Sequence, residues 1–181
     1  APYYGFQGWS DGVTSNPRAI TIGGNDHYTA IFTNTVPLET QVLKQWEQAL
    51  GGASNEEREV VVRPTSDGGY IVGGDSHSGP GGNKSSPNFG ENDYWVVKLN
   101  SSGTQIEWEK SYGGTMNDQA YSIVQTSDNG YMLAGFSGSN DDDVTGNHGD
   151  KDYWTAKLDT SGAIQWSNTF GGDSLEYCFG M

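Results

Sequence analysis

The residues best placed to do chemistry lie in one acidic loop, S-N-D-D-D-V-T-G-N-H-G-D-K-D, from Ser139 to Asp152. Hard oxygen donors crowded onto a loop suit calcium, which takes about six to eight oxygens at about 2.3–2.6 Å. Asp141, Asp143 and Asn147 are candidate ligands, with Asp150 closing the loop. The spacing is not that of an EF-hand, because no Glu stands at the closing position. The corresponding loop of the preceding repeat, from Asp75 to Asp93, keeps few carboxylates. The same stretch also reads as a solvated connection stiffened by Asx turns. Calcium is the candidate cofactor, and no other is indicated.

Other chemistry-bearing residues point away from catalysis. Asp93-Tyr94-Trp95 and Asp152-Tyr153-Trp154 could stack on sugars, but their recurrence suits a structural role. In that role the Trp fills the core between units and the Asp bonds a turn amide. His27, His77 and His148 lie far apart, none with a second His or a Cys at metal spacing. There is no G-x-S-x-G elbow and no dinucleotide or Walker-type glycine motif. Glu56-Glu57 and Glu107/Glu109 supply carboxylates, but nothing in the sequence sets a pair across a cleft as glycoside hydrolysis needs. The expected catalytic set is empty.

The elements that carry these residues follow from composition and repeats. Gly numbers 27 and hydrophobic residues only 33%, with a mean hydropathy of -0.65. Short strands joined by tight turns fit this better than packed helices. The aromatic residues (6 Trp, 10 Tyr, 6 Phe) supply the bulk that a core needs. A net charge of -14 repels a nucleic-acid backbone and an anionic lipid surface alike. Cys178 is the single cysteine, so no intrachain disulfide forms. No apolar run reaches the roughly 18 residues that span a bilayer, so neither nucleic-acid binding nor membrane insertion is expected.

The phrase T-S-D-G-G-Y (Thr65 to Tyr70) returns as T-S-D-N-G-Y (Thr126 to Tyr131). Upstream, W-E-Q-A-L-G-G from Trp46, W-E-K-S-Y-G-G from Trp108 and W-S-N-T-F-G-G from Trp166 open three copies, 62 and 58 residues apart. Downstream, N-D-Y-W-V-V-K-L-N-S-S-G matches K-D-Y-W-T-A-K-L-D-T-S-G. Within one unit, strands are expected at Tyr121–Thr126, Tyr131–Phe136, Tyr153–Leu158 and Ala163–Phe170. Ile164 and Trp166 should share a face there, opposite Gln165. Four antiparallel strands in a unit of about 60 residues are the plan of a β-propeller blade. The repeated phrase is then a hairpin tip, because Asn and Gly tolerate positive φ. Its partial likeness to the sialidase Asp-box, carried by Thr65, Asp67 and Gly69, also points to a folding turn.

The expected domains are a small β-module over residues 1–33, a linker over 34–41 and blades from 42 to 181. The module would hold strands around Tyr4–Trp9, Ala19–Ile22 and Tyr28–Phe32. Aligned on the Gly-Gly pairs, Phe179 falls on Tyr121 and Met181 on Ile123, so a further unit is expected to begin at the C-terminus. The chain is thus expected to be part of a longer polypeptide, the alternative being several copies that assemble a ring. The opening A-P-Y-Y-G-F-Q-G-W has no signal-peptide pattern, so either the protein is cytoplasmic or its targeting segment lies outside this chain.

Two resemblances rest on these motifs. G-F-Q-G-W-S-D-G, N-P-R-A-I-T-I and Y-T-A-I-F resemble the second half of the internalin-type B-repeat of bacterial surface proteins. T-S-D-G-G-Y-I-V-G-G, N-H-G-D-K-D-Y-W-T-A-K-L-D-T-S-G-A-I-Q-W and the following F-G-G resemble a propeller repeat of large secreted Bacteroidetes-type proteins, many exported by type IX secretion. The resemblance implies an extracellular or cell-surface location. It also implies partners among other domains of the same protein, secretion-machinery or cell-surface proteins, or glycans. The expected function is non-catalytic: a structural or adhesive segment. The alternative is a fragment of a glycan-cleaving propeller enzyme whose catalytic residues lie outside this chain. A quinoprotein-like propeller has only the D-T-S-G-A-I-Q-W hairpin in its favour.

Overall fold

The computed structural model describes residues 4–9, 30–34, 46–54 and 60–176, and it divides into units 1–45 and 46–181. In the first unit, β1 (Tyr4–Trp9) pairs antiparallel with β2 (Ala30–Asn34), with a register shift between Phe6 and Gly8. The expected strand at Ala19–Ile22, most of the linker and the last five residues of the chain lie outside the described residues.

The second unit is all-β. β3 (Val61–Pro64), β4 (Tyr70–Ser76), β5 (Asp93–Leu99) and β6 (Ile106–Tyr112) form one antiparallel sheet in sequence order. β7 (Asp118–Gln125), β8 (Tyr131–Ser137), β9 (Asp152–Leu158) and β10 (Ile164–Phe170) form a second sheet of the same order. Among the described residues there is no helix, and hence none long and apolar enough to cross a membrane. The architecture is blade-like.

In each sheet the repeated phrase joins the first two strands, and its chemistry explains the wording. Thr65 N bonds Gly69 O and Gly68 N bonds Thr65 O; Thr126, Gly130 and Asn129 repeat the pattern. Gly68 (φ 82°) and Asn129 (φ 64°) occupy the one left-handed position, which only Gly and Asn tolerate readily. The glycine after it serves a different need. A Cβ on Gly69 would meet Leu99 O at 2.3 Å, and one on Gly130 would meet Leu158 O at 2.3 Å.

The two sheets pack face to face through alternating residues. Ile71, Tyr94 and Val96 of the first meet Ala120, Ile123, Leu133, Trp154, Ala156 and Leu158 of the second in one buried cluster. The Tyr94 and Trp154 rings lie 4.7 Å apart, and the Tyr94 hydroxyl donates to the carbonyls of Phe136 and Trp154, each at 3.3 Å. Gly135 makes this fit, since a Cβ there would stand 2.4 Å from the Tyr94 hydroxyl.

One expected pairing of faces is corrected. Ile164 faces Leu158 but Trp166 faces Lys157, because a β-bulge places an extra residue, Gln165, between them. The first sheet carries the same bulge: Ile106 faces Leu99, and Trp108 faces Lys98. Period-two reading fails there because a bulge puts two residues opposite one and switches the faces. Trp108 therefore reaches across to the second sheet. It packs edge-on against Tyr131 (5.7 Å) and covers the turn at Gly162. Trp46 makes the equivalent contact with Tyr70 (5.1 Å) and Gly103. Trp166, third in the series, is 45% exposed.

Trp154→Ala should lower unfolding free energy by about 3–5 kcal/mol, the usual loss for a buried large aromatic. Gly135→Ala should cost about 2–3 kcal/mol by overpacking. Denaturant titration of both variants checks this, and neither change alters the surface.

Candidate functional site

Where the two hairpin tips meet, a groove of about 360 Å³ opens between the sheets. The tips are sewn together: Ser66 N donates to Gln125 Oε1 (2.8 Å), and Ser66 Oγ to Asn129 Oδ1 (3.0 Å). The floor is an ion-pair triad. Lys98, with only 3% of its side chain exposed, lies 2.9 Å from Asp67 and 3.0 Å from Glu107. Trp108, Tyr131 and Thr160 complete the walls.

The bulge is what aims Glu107 at Lys98. In the second sheet Gln165 holds the bulge position, and its amide oxygen lies 3.2 Å from Lys157 Nζ, which also pairs with Asp128 at 2.8 Å. The first groove therefore holds two carboxylates against one ammonium, and its counterpart holds only one. Asp67 is kept well below the ordinary carboxylate range by the Thr65 hydroxyl, then by Lys98 and the Gly69 amide. Burial pushes Lys98 down, but its bonds to Asp67 and Glu107 outweigh that and hold it above its ordinary value.

Ring faces, amides, hydroxyls and fixed carboxylates are the groups that hold polyols and sugars. Hydrolysis of a glycoside calls for one carboxyl kept protonated opposite a second. Here both carboxylates converge on the same ammonium, and Asp67 is held ionised.

The calcium candidates serve other partners. Asp141 accepts from Thr115 N (2.9 Å) and Thr115 Oγ1 (2.6 Å), bonds that hold it below its ordinary value. The Asp143 amide bonds Gly113 O at 3.1 Å, and burial raises its carboxyl. Asn147 bridges Ser137 O (3.0 Å) and Gly149 N (2.9 Å), while Asp150 is exposed. Among the described residues no group of three or more His, Cys, Asp or Glu is arranged to hold a metal. The loop clamps the Gly113–Thr115 segment between the sheets.

Other residues fall as their types suggest. His77 Nδ1 meets Glu91 O at 2.8 Å, His148 Nδ1 lies 2.9 Å from Asp152 Oδ2, and His27 lies outside the described residues. Asp93 and Asp152 accept the loop amides of Phe89 (2.6 Å) and His148 (2.8 Å), as a turn-bonding role requires. Glu109 accepts five bonds, from the amides and hydroxyls of Ser85 and Ser86 and from Trp95 Nε1.

Sequence reading missed Lys98 and the convergence of Asp67 with Glu107. A signal was present: lysine stands before leucine at the end of both Asp-Tyr-Trp strands, in a chain with only 9 Lys and Arg.

Lys98→Met should cost about 3–5 kcal/mol, because it leaves two carboxylates facing each other without their ammonium. Glu109 makes a pH prediction. Burial alone would raise its pKa, but the Ser85, Trp95 and Ser86 bonds bring it from 4.5 down to about 2. Its contribution is present above about pH 4.5 and lost as pH falls through about 2. Glu109→Ala should lose about 1–3 kcal/mol at neutral pH and show a shallower loss of stability below pH 4.5. Urea midpoints across that range read both effects.

The chain matches no known family model, and no curated protein matches it.

Proposed function

We propose that the chain is a non-catalytic structural or adhesive segment of a large secreted or cell-surface bacterial protein. In this reading its four-stranded sheets are consecutive blades of a β-propeller, and the groove between them displays recognition groups to a glycan or a partner protein. The first unit would act as a spacer of the B-repeat kind, and calcium in the acidic loop remains part of the proposal.

One observation carries the stacking. The second sheet presents Tyr131, Leu133, Trp154, Ala156 and Leu158 to the first. The first sheet presents Tyr70, Val72, Trp95, Val97 and Leu99 at the matching positions of its own far face, where Trp46 and Leu50 pack against them. The exposed face of the second sheet carries Tyr153, 37% exposed, where the first carries Tyr94. A unit whose two faces match each other in this way suits a series closed into a ring. Sidedness of this kind also explains the exposed Val60, Val62 and Phe170.

The groove supports binding over hydrolysis, because Lys98 ties its two carboxylates together. A panel of bacterial surface oligosaccharides, followed by intrinsic tryptophan fluorescence, tests the reading. Saturable quenching is expected, weakened about tenfold, or roughly 1.4 kcal/mol, by Glu107→Gln. Release of new reducing ends by the full-length protein, with this chain alone inactive, would establish the hydrolase alternative instead.

A further inference from the structure

Gly113 and Gly171 open the Gly-Gly pairs that follow β6 and β10, and neither has a positive φ. Their backbone does not call for glycine; the space does. A Cβ on Gly113 would stand 2.4 Å from Asp93 Oδ1 and 2.6 Å from Asp118 Oδ2. One on Gly171 would stand 2.3 Å from Asp152 Oδ1 and 2.5 Å from Glu176 Oε2. Each glycine thus lets a pair of carboxylate oxygens close on the main chain, at the same place in both four-stranded repeats.

Three of these four oxygens lack partners. Asp93, Asp118 and Asp152 are fully buried, and Asp93 Oδ1, Asp152 Oδ1 and Glu176 Oε2 are buried without a hydrogen bond. Asp118 Oδ2 is engaged, as are the remaining oxygens of the Asp residues. Asp93 Oδ2 takes the Phe89 amide, and Asp118 takes Gly114 N (2.7 Å), Ser139 Oγ (2.9 Å) and Ser137 Oγ. Asp152 Oδ2 takes the His148 amide and ring nitrogen. Among the described residues no lysine or arginine is in ion-pair contact with any of the four acids; Lys84 acts on Asp93 from farther off, and His148 Nδ1 lies 2.9 Å from Asp152 Oδ2. Two adjacent carboxylates in a low-dielectric site need a counter-charge.

We propose that each pair binds one divalent cation of the calcium class, between Asp93 and Asp118 and again between Asp152 and Glu176, beside the glycine. The donors are hard oxygens only, which suits calcium and not a thiolate- or imidazole-seeking metal. Two carboxylates balance its charge, and water and main-chain carbonyls complete the shell. Asp93 belongs to the first sheet and Asp118 to the second, so the ion joins the sheets where Asp118 N already bonds Asn92 O at 2.8 Å. Glu176 N bonds Lys151 O at 2.8 Å in the same way. The sequence signature is Gly-Gly with an acid five positions after the first glycine. It recurs at Gly51 and Glu56, although Glu56 lies outside the described residues.

Titration calorimetry of the chelator-stripped chain with calcium chloride near physiological salt, paired with thermal melts, tests this. Saturable binding and a melting temperature raised by several degrees are expected. Asp93→Asn should abolish one site and spare the other, and Asp141→Asn should spare both. Asp152→Asn addresses the outer pair and keeps the test decisive if Asp93→Asn fails to fold. Three outcomes overturn the proposal. One is a wild-type melt and isotherm indifferent to calcium. Another is binding that survives both Asn substitutions but is lost in Asp141→Asn. The last is stability that ignores calcium yet rises on acidification, which marks a shared proton in place of a metal.

Discussion

The contact of Tyr94 with Trp154 is the constraint around which the second unit is arranged. A tyrosine ring can lie against an indole across two sheets only if its hydroxyl finds acceptors and the opposing strand gives way. Two carbonyls supply the acceptors, and Gly135 gives way. A core with few aliphatic side chains depends on such large rings, because each removes much apolar area from water. The small residues around them, Gly73 against Ile123 and Gly135 against the Tyr94 hydroxyl, are therefore part of the packing.

Charge is handled in opposite ways at the two kinds of junction between sheets. At the hairpin tips, buried lysines draw carboxylates inward and form closed ion-pair networks. At the Gly-Gly turns, carboxylates meet without direct ion-pair contact to a lysine or arginine among the described residues, and Lys84 acts on Asp93 only from a distance. A chain of net charge -14 has too few cations to neutralise every buried acid, so hydroxyls and amides take over part of that work. Glu109 shows how far this goes: five donors surround one carboxylate, and burial no longer governs its protonation.

The departures from exact repetition carry as much information as the repeats. Glu107 becomes Gln165, which removes one charge from the second groove. Glu109 becomes Ser167, and the Trp154 indole nitrogen is left without the partner that Trp95 has in Glu109. The framework holds because backbone pairing and ring packing are shared. The differences concentrate on side chains that meet solvent or loops.

What could be read from the sequence was local. Period-two alternation located the strands of the second sheet to within a few residues, and Gly-Asn chemistry located the hairpin tips, because backbone sterics act over neighbouring positions. The bulges at Glu107 and Gln165 broke that periodicity without a mark in composition, and so Ile164 and Trp166 were placed on one face when they lie on two. Residues far apart in the chain were matched only by the packing of sheet on sheet. Asp118 starts β7 earlier than the local pattern indicated because its amide bonds Asn92, and Lys98 gathers Asp67 from a hairpin turn and Glu107 from β6. Burial converts those encounters into strong interactions by removing water, and burial is a property of the assembled sheets.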